Sequence, residues 1–215
     1  MRVVAFNISS CRAGLDRVID ALGELDPDVV VLNEVARGQD RAIGRAIGRV
    51  SVKGNTLRLR GFGNAVLLRE RPSSVRRLRL RRTRRRERRG ALIVRLPAGA
   101  TVAATHLGLG DEERVRHARQ ILRALEGVVP LIVAGDLNET TGGAAVGLLC
   151  AELTDAFAVA REGSGSTYPA DVPAERLDYV LCSPDVRVVR TFVDDRVASD
   201  HRAVVADLVL PGVER

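Results

Sequence analysis

The chain has 215 residues and is 46% hydrophobic, enough for one sizeable core, but aromatics make up only 3% and Trp is absent. The core must therefore be Val, Leu, Ile and Ala, and no apolar run approaches the about 20 residues of a membrane span, which excludes a helical membrane protein. The net charge of +7 is local: twelve Arg and two acids, Glu70 and Glu87, fall within residues 69–89, and acids outnumber bases elsewhere.

In chain order, Val3 to Ile8 is a short apolar run that predicts a strand. Leu15, Val18, Ile19, Leu22 and Leu25 follow helical spacing, and Asp26-Pro27 ends that helix. Val29 to Leu32 is apolar and β-branched, so a strand buried on both faces. Arg41 to Val50 predicts a second helix. Ala65 to Leu68, Val75 to Leu80, Ala91 to Leu96 and Thr101 to Thr105 follow as strands. Asp111 to Leu125 predicts a helix with acids at its start and Val115, Ala118, Ile121, Leu122 and Leu125 on its apolar face. His117, between Arg116 and Arg119, is assigned to its solvated face. Leu131 to Ala134 is another buried strand and Gly142 to Leu149 a short helix. Leu177 to Leu181, Val186 to Val193 and Val204 to Leu210 close the chain as strands. Many strands with few crossover helices imply an α/β sandwich, two sheets covered by helices, over a single domain spanning 1–215. Cys11, Cys150 and Cys182 are odd in number and scattered, as expected of reduced thiols without a metal pattern. The first residues lack a signal-peptide pattern, so a cytoplasmic location is expected, and a monomer with it.

The chemistry lies at the ends of the apolar runs. The first ends in Asn7, the second in Asn33-Glu34, the run from Thr101 in Thr105-His106, and the run from Leu131 in Gly135-Asp136-Leu137-Asn138; Asp178 opens a strand and Ser199-Asp200-His201 precedes the last one. In open α/β sheets ligands collect at the carboxyl ends of strands. Glu34, Asp136 and Asp200 are hard oxygen donors suited to Mg²⁺ or Mn²⁺, whereas scattered thiols and three His disfavour Zn²⁺. Asn7 and Asn138 can contact metal, water or phosphate without adding charge. His106 and His201 can donate to phosphate or move a proton, and Asp178 can orient one of them. Asp200 and His201 are adjacent, so in extended geometry their side chains diverge. Taken singly, each has a plainer reading: Asn7, the 135–138 segment and Asp200-His201 as turn residues, Glu34 as a helix-start acid. All of them in one chain point to a metal-dependent phosphoesterase.

In this order, Phe6-Asn7-Ile8, Val31-Leu32-Asn33-Glu34-Val35, Gly63-Asn64-Ala65, Arg89-Gly90-Ala91, Thr105-His106-Leu107, Gly135-Asp136-Leu137-Asn138, Thr167-Tyr168-Pro169, Arg176-Leu177-Asp178-Tyr179 and Ser199-Asp200-His201 resemble the motifs of the endonuclease/exonuclease/phosphatase superfamily, the fold of pancreatic-type deoxyribonuclease. The resemblance spans the chain. It implies a four-layer α/β sandwich with two packed mixed β-sheets flanked by helices. It also implies Glu34 as the principal ligand of a Mg²⁺ (or Mn²⁺) ion with Asn7 and Asp200 near it, and Asp136 as the residue that orients or deprotonates the attacking water. Asn138 and His106 would contact the phosphate, and His201 paired with Asp178 would act as base or stabilise the phosphorane-like state. Asn33 departs from the family's usual Gln, and the stretch between Glu34 and Asn64 is short, which weakens inference of substrate.

His106 is similar to the His of nuclease, sphingomyelinase and inositol-phosphate phosphatase branches, where abasic-site endonucleases usually carry Tyr. The substrate stays open between nucleic acid and a lipid or inositol phosphate; a catalytically inactive polyanion-binding module is a third reading, which the intact acid and His set opposes. Arg77, Arg79 and Arg81 alternate with Leu78 and Leu80, as in a strand with one basic face, and Arg84 to Arg89 read as a loop. This segment, 69–89, suits a phosphate backbone or an anionic membrane surface, or is an Arg-coated edge strand that resists edge pairing.

Overall fold

A computed structural model describes residues 1–54, 62–84 and 86–212. Its strands in chain order are β1 (Arg2–Asn7), β2 (Val29–Val35), β3 (Val50–Lys53), β4 (Gly63–Leu68), β5 (Ser74–Arg79), β6 (Gly90–Arg95), β7 (Thr101–His106), β8 (Leu131–Asp136), β9 (Thr154–Asp155), β10 (Arg161–Glu162), β11 (Asp178–Cys182), β12 (Arg187–Val193) and β13 (Val204–Val209). The helices are α1 (Leu15–Leu25), α2 (Gln39–Ala46), α3 (Asp111–Ala124), α4 (Ala144–Glu152) and α5 (Ala156–Ala160). A single 3-10 turn covers Ser9–Cys11.

The strands form a seven-stranded sheet ordered β10-β12-β13-β1-β2-β4-β3 and a six-stranded sheet ordered β5-β6-β7-β8-β11-β9. Both are mixed: β1 runs parallel to β2 and β7 to β8, while their outer neighbours are antiparallel. Strand alternation divides the small aliphatic side chains among the layers. Val3, Ala5, Val29 and Val31 of the first sheet meet Val102, Ala104, Ile132 and Ala134 of the second in the inter-sheet core. The intervening residues Val4, Phe6, Val30 and Leu32 face α1, with Val18, Leu22 and Leu25 against them. Ala103, Val133 and Leu181 face α3 and α4. Four layers result, helix–sheet–sheet–helix. A buried Val, Leu or Ile side chain stabilises by about 1.5–3 kcal/mol, so Val- and Ala-rich central strands covered on both faces make a core without Trp. No described helix is long and apolar enough to cross a membrane.

The predicted elements fall within a few residues of those observed, with three differences. The predicted helix 41–50 ends at Ala46, because Gly48 turns with φ 67 and Val50 and Val52 enter a strand beside β4. The basic strand stops at Arg79, so Arg81 lies beyond it; Arg85 of the predicted loop is outside the described residues. His117 is not on a solvated face: it is fully buried. The loop after β5 folds over α3, so that His117 Nε2 meets the Arg81 carbonyl at 3.1 Å and its Nδ1 accepts from Gly108 N at 3.3 Å, while Glu113 Oε1 accepts from Thr83 N at 2.8 Å. The backbone covering these polar groups comes from a distant part of the chain, which a helical wheel does not show.

Candidate active site

The strand register assembles the site. In the parallel pairs, Asn7 lies beside Asn33 and His106 beside Asp136, so the two central pairs end at the same edge of the sandwich. Asp178, the first residue of antiparallel β11, is paired with Asp136, and β13 begins opposite Ala5, which delivers His201 just before it. The eight residues singled out above, Asn7, Glu34, His106, Asp136, Asn138, Asp178, Asp200 and His201, therefore converge.

Asp136 is the hub, buried to within 1%. Its Oδ2 accepts from Asn7 Nδ2 at 2.9 Å and lies 3.3 Å from His106 Nε2 and 3.9 Å from His201 Nε2. Its Oδ1 accepts from Asn138 N at 2.8 Å, which pins the turn after β8, where Asn138 is left-handed at φ 51. Asn138 Nδ2 donates to Leu107 O at 3.0 Å, leaving one N–H of that amide for another partner.

The two histidines sit in opposite electrostatic settings. His201 Nδ1 is 2.8 Å from Asp178 Oδ2, and Tyr168 packs against its ring at a centroid distance of 4.8 Å. Burial by itself lowers the His201 pKa, but the Asp178 carboxylate and its hydrogen bond, with Asp136 and Asp200, outweigh it and raise it to about 9. His106 Nδ1 receives Arg89 Nη1 at 2.9 Å, so its proton sits on Nε2, toward Asp136. Burial, helped by Arg89 and His201, pushes the His106 pKa down to about 3 against the pull of Asp136. The surroundings thus favour the cation at His201 and the neutral imidazole at His106.

Glu34 sits in a one-residue bulge of β2, where the register against β4 shifts between Leu32 and Val35, and it adopts φ 55. A left-handed non-glycine residue costs about 1 kcal/mol, and such strain re-aims a side chain at functional sites. The bulge is braced by Ser10 Oγ, which donates to Glu34 O at 2.9 Å, and by Gln39, which bonds both Ser10 O and Ala36 N. Burial pushes the Glu34 pKa up, and the like charges of Asp200 and Asp136 add to it, against Asn7 and Arg89. Asp200 is exposed and accepts from Ser9 Oγ at 3.2 Å and Ser199 Oγ at 3.1 Å, so it and His201 do diverge.

This donor set fits a divalent cation. Glu34, Asp136, Asp178 and Asp200 crowd carboxylates into one place, and Asp178 Oδ1 is buried without a hydrogen-bond partner among the described residues. Asp136, Asp178 and His201 offer ligand atoms within 4.8 Å of one another, although His201 spends Nδ1 on Asp178. Hard carboxylate and amide oxygens favour Mg²⁺-like ions.

Several supporting residues escaped the sequence reading as site residues. Asn33, fully buried, donates to Asn64 Oδ1 (3.0 Å) and Thr105 O (2.9 Å) and accepts from Asp136 N (2.8 Å), tying the two sheets together beneath the site. Thr167 Oγ1 accepts from Leu177 N and Asp178 N, while its carbonyl accepts from Arg202 N, joining both members of the His201–Asp178 pair. Their signal was present only as membership of the matching segments.

Comparison with known proteins agrees with this architecture. A conserved protein of unknown function from Enterococcus faecalis superposes with TM-score 0.85 at 18% identity, over 97% of this chain and 99% of that one. An endonuclease/exonuclease/phosphatase protein from Beutenbergia cavernae gives TM-score 0.84 at 28% identity, over 99% of this chain and 72% of that one. A mannosyl-6-phosphatase from Bacteroides thetaiotaomicron gives TM-score 0.82 at 17% identity, over 98% and 100%. No curated protein sequence matches the chain. The endonuclease/exonuclease/phosphatase family profile matches residues 4–201, a span that takes in every residue of the site from Asn7 to His201. The chain belongs to the endonuclease/exonuclease/phosphatase family, with a phosphoesterase fold and a buried Asp136, Asp178 and His201 group at its centre.

Proposed function

We propose that the chain is a divalent-metal-dependent phosphoester hydrolase of the phosphodiesterase type, with in-line attack of water on the phosphorus. The observation that carries this reading is the setting of Asp136. Its carboxylate is fixed by Asn7 and the Asn138 backbone and faces both imidazoles. A buried carboxylate so held can orient and deprotonate a water molecule. His201, with Asp178 behind it, presents Nε2 on the same side and is suited to stabilise negative charge on the phosphoryl oxygens. His106 offers an Nε2 proton fixed by Arg89, and Asn138 its remaining N–H, to substrate oxygens.

Glu34 and Asp200, with Asn7 near Glu34, are the residues we assign to a Mg²⁺ or Mn²⁺ ion. When bound, such an ion supplies Lewis-acid neutralisation of charge on the phosphoryl and leaving oxygens. The inactive polyanion-binding reading leaves the strained Glu34 bulge and the His201–Asp178 pair without purpose.

The test is hydrolysis of bis-p-nitrophenyl phosphate, p-nitrophenyl phosphate, a DNA oligonucleotide, a sphingomyelin vesicle and an inositol phosphate, each with Mg²⁺ or Mn²⁺. Turnover of a diester that EDTA abolishes supports the proposal. Turnover confined to the lipid or inositol phosphate moves it to that substrate class, and no metal-dependent turnover of any ester rejects it.

A further inference from the structure

A recess opens beside the site, between β4 and the β5–β6 pair. Glu34 and His106 stand on its wall, and Arg77, Arg79, Arg88 and Arg89 line it together with Phe62. Strand alternation explains two of the four arginines. Leu78 packs on the helix-side core and Arg76 reaches the Ala124 carbonyl, so Arg77 and Arg79 emerge on the opposite face of β5, toward the first sheet. There Arg77 Nε and Nη2 donate to Lys53 O at 3.0 and 2.9 Å, which fixes its guanidinium. Arg79 and Arg88 make no side-chain hydrogen bond or ion pair among the described residues. Arg89 bonds His106 and the exposed Glu87, and its Nε is buried without a partner among the described residues.

Apart from Glu34 on its wall, the neighbouring segments bring little to balance this charge: no acid occurs between Lys53 and Asn64 or between Arg71 and Arg86. Guanidinium groups do not deprotonate in proteins, and their planar forks match phosphate oxygens. An edge strand coated with Arg for solubility needs no convergence on Glu34 and His106. Phe62, 48% exposed at the same recess, offers a ring face for a base or sugar.

Building on the hydrolase reading above, we propose that this recess receives a second phosphate of the substrate, the one neighbouring the phosphoester at Asp136, and thereby selects a phosphorylated nucleotide chain over an isolated ester. The shared chemistry is a second phosphoryl group; a sugar bisphosphate would present it too, and the assay separates the two.

The experiment compares kcat/KM for a thymidine dinucleotide with and without a terminal phosphate at either end, and for glucose 1-phosphate against glucose 1,6-bisphosphate. Wild type is expected to prefer one terminally phosphorylated dinucleotide by about tenfold or more, the size of a charged hydrogen bond. Combined Arg77→Gln, Arg79→Gln and Arg88→Gln should bring that ratio toward one, whereas Arg76→Gln, on the other face of β5, should leave it intact. Arg88→Gln alone gives the same readout if the triple variant fails to fold. Equal kcat/KM in wild type, or a preference that survives the triple substitution, overturns the proposal. A preference seen only for the bisphosphate overturns its nucleotide part. Fluorescence anisotropy of the same labelled dinucleotides in EDTA reads the preference without turnover. A protein that binds the phosphorylated form selectively but hydrolyses nothing would keep the recess and sink the hydrolase reading.

Discussion

Replacing Asn33 tests whether the two sheets are locked at the site. Its side chain makes three hydrogen bonds and is fully buried. Asn33→Ala leaves Asp136 N without its acceptor in a dry setting, a loss of about 1–3 kcal/mol, and removes two further bonds worth about 1 kcal/mol each. The expected destabilisation is about 3–5 kcal/mol, a large share of the about 5–15 kcal/mol available to a domain. Urea unfolding followed by circular dichroism measures it, with the slope unchanged if only stability has shifted. Asn33→Gln, the residue usual in the family, adds a methylene to a fully filled place and should cost about 1–3 kcal/mol. The Gly135 backbone is packed against the same amide: a Cβ there would lie 2.8 Å from Asn33 Oδ1 and 2.0 Å from Thr105 O. If Asn33→Ala loses less than about 1 kcal/mol, the network does not hold the sheets as described.

Three further outcomes are expected. Mg²⁺ should raise the Tm of the wild type in calorimetry, as any ligand of the native state does, and Glu34→Gln should remove that rise; an unchanged rise would place the ion elsewhere. The Arg2 guanidinium, bonded to both Asp207 oxygens at 2.8 and 2.9 Å, holds the Asp207 carboxyl below its ordinary value. A depressed folded pKa means stability present above the ordinary value and lost as pH falls through the folded one. Because both side chains are partly exposed, Asp207→Asn should cost no more than about 1 kcal/mol at pH 7, and urea titrations should show the gap closing in acid. A gap that persists at low pH would contradict this. Finally, Ellman's reagent at pH 8 should modify exposed Cys150 in the native protein but reach Cys182, buried and pushed up to about 11, only after unfolding; rapid native reaction of Cys182 would mean that the core is open.

The parts legible in the sequence were those fixed locally. Apolar runs that stop at Asn7, Glu34, His106 and Asp136 mark strand ends, and those ends come together because parallel pairing of β1 with β2 and β7 with β8 brings carboxyl ends to one edge. What depends on neighbours in space was hidden. The Glu34 bulge arises from β2 and β4 falling out of step, and the bracing by Ser10 and Gln39 follows from where a turn meets a helix. His117 was misplaced because its cover comes from residues 81–83, some thirty-five positions earlier. The two-residue strands β9 and β10 are too short to leave a period. The Arg segment showed its charge in the sequence but not that half of β5 turns its arginines toward Glu34 and His106.

The most direct test of the site is a double-mutant cycle on the His201–Asp178 pair, read as kcat/KM for bis-p-nitrophenyl phosphate with Mg²⁺ or Mn²⁺. If the pair acts as one unit, Asp178→Asn and His201→Ala each lower kcat/KM by about a hundredfold or more, and the double variant is hardly worse than His201→Ala alone. Rates equal to wild type in His201→Ala under every metal would contradict the assignment of a hydrolytic site to these strand ends.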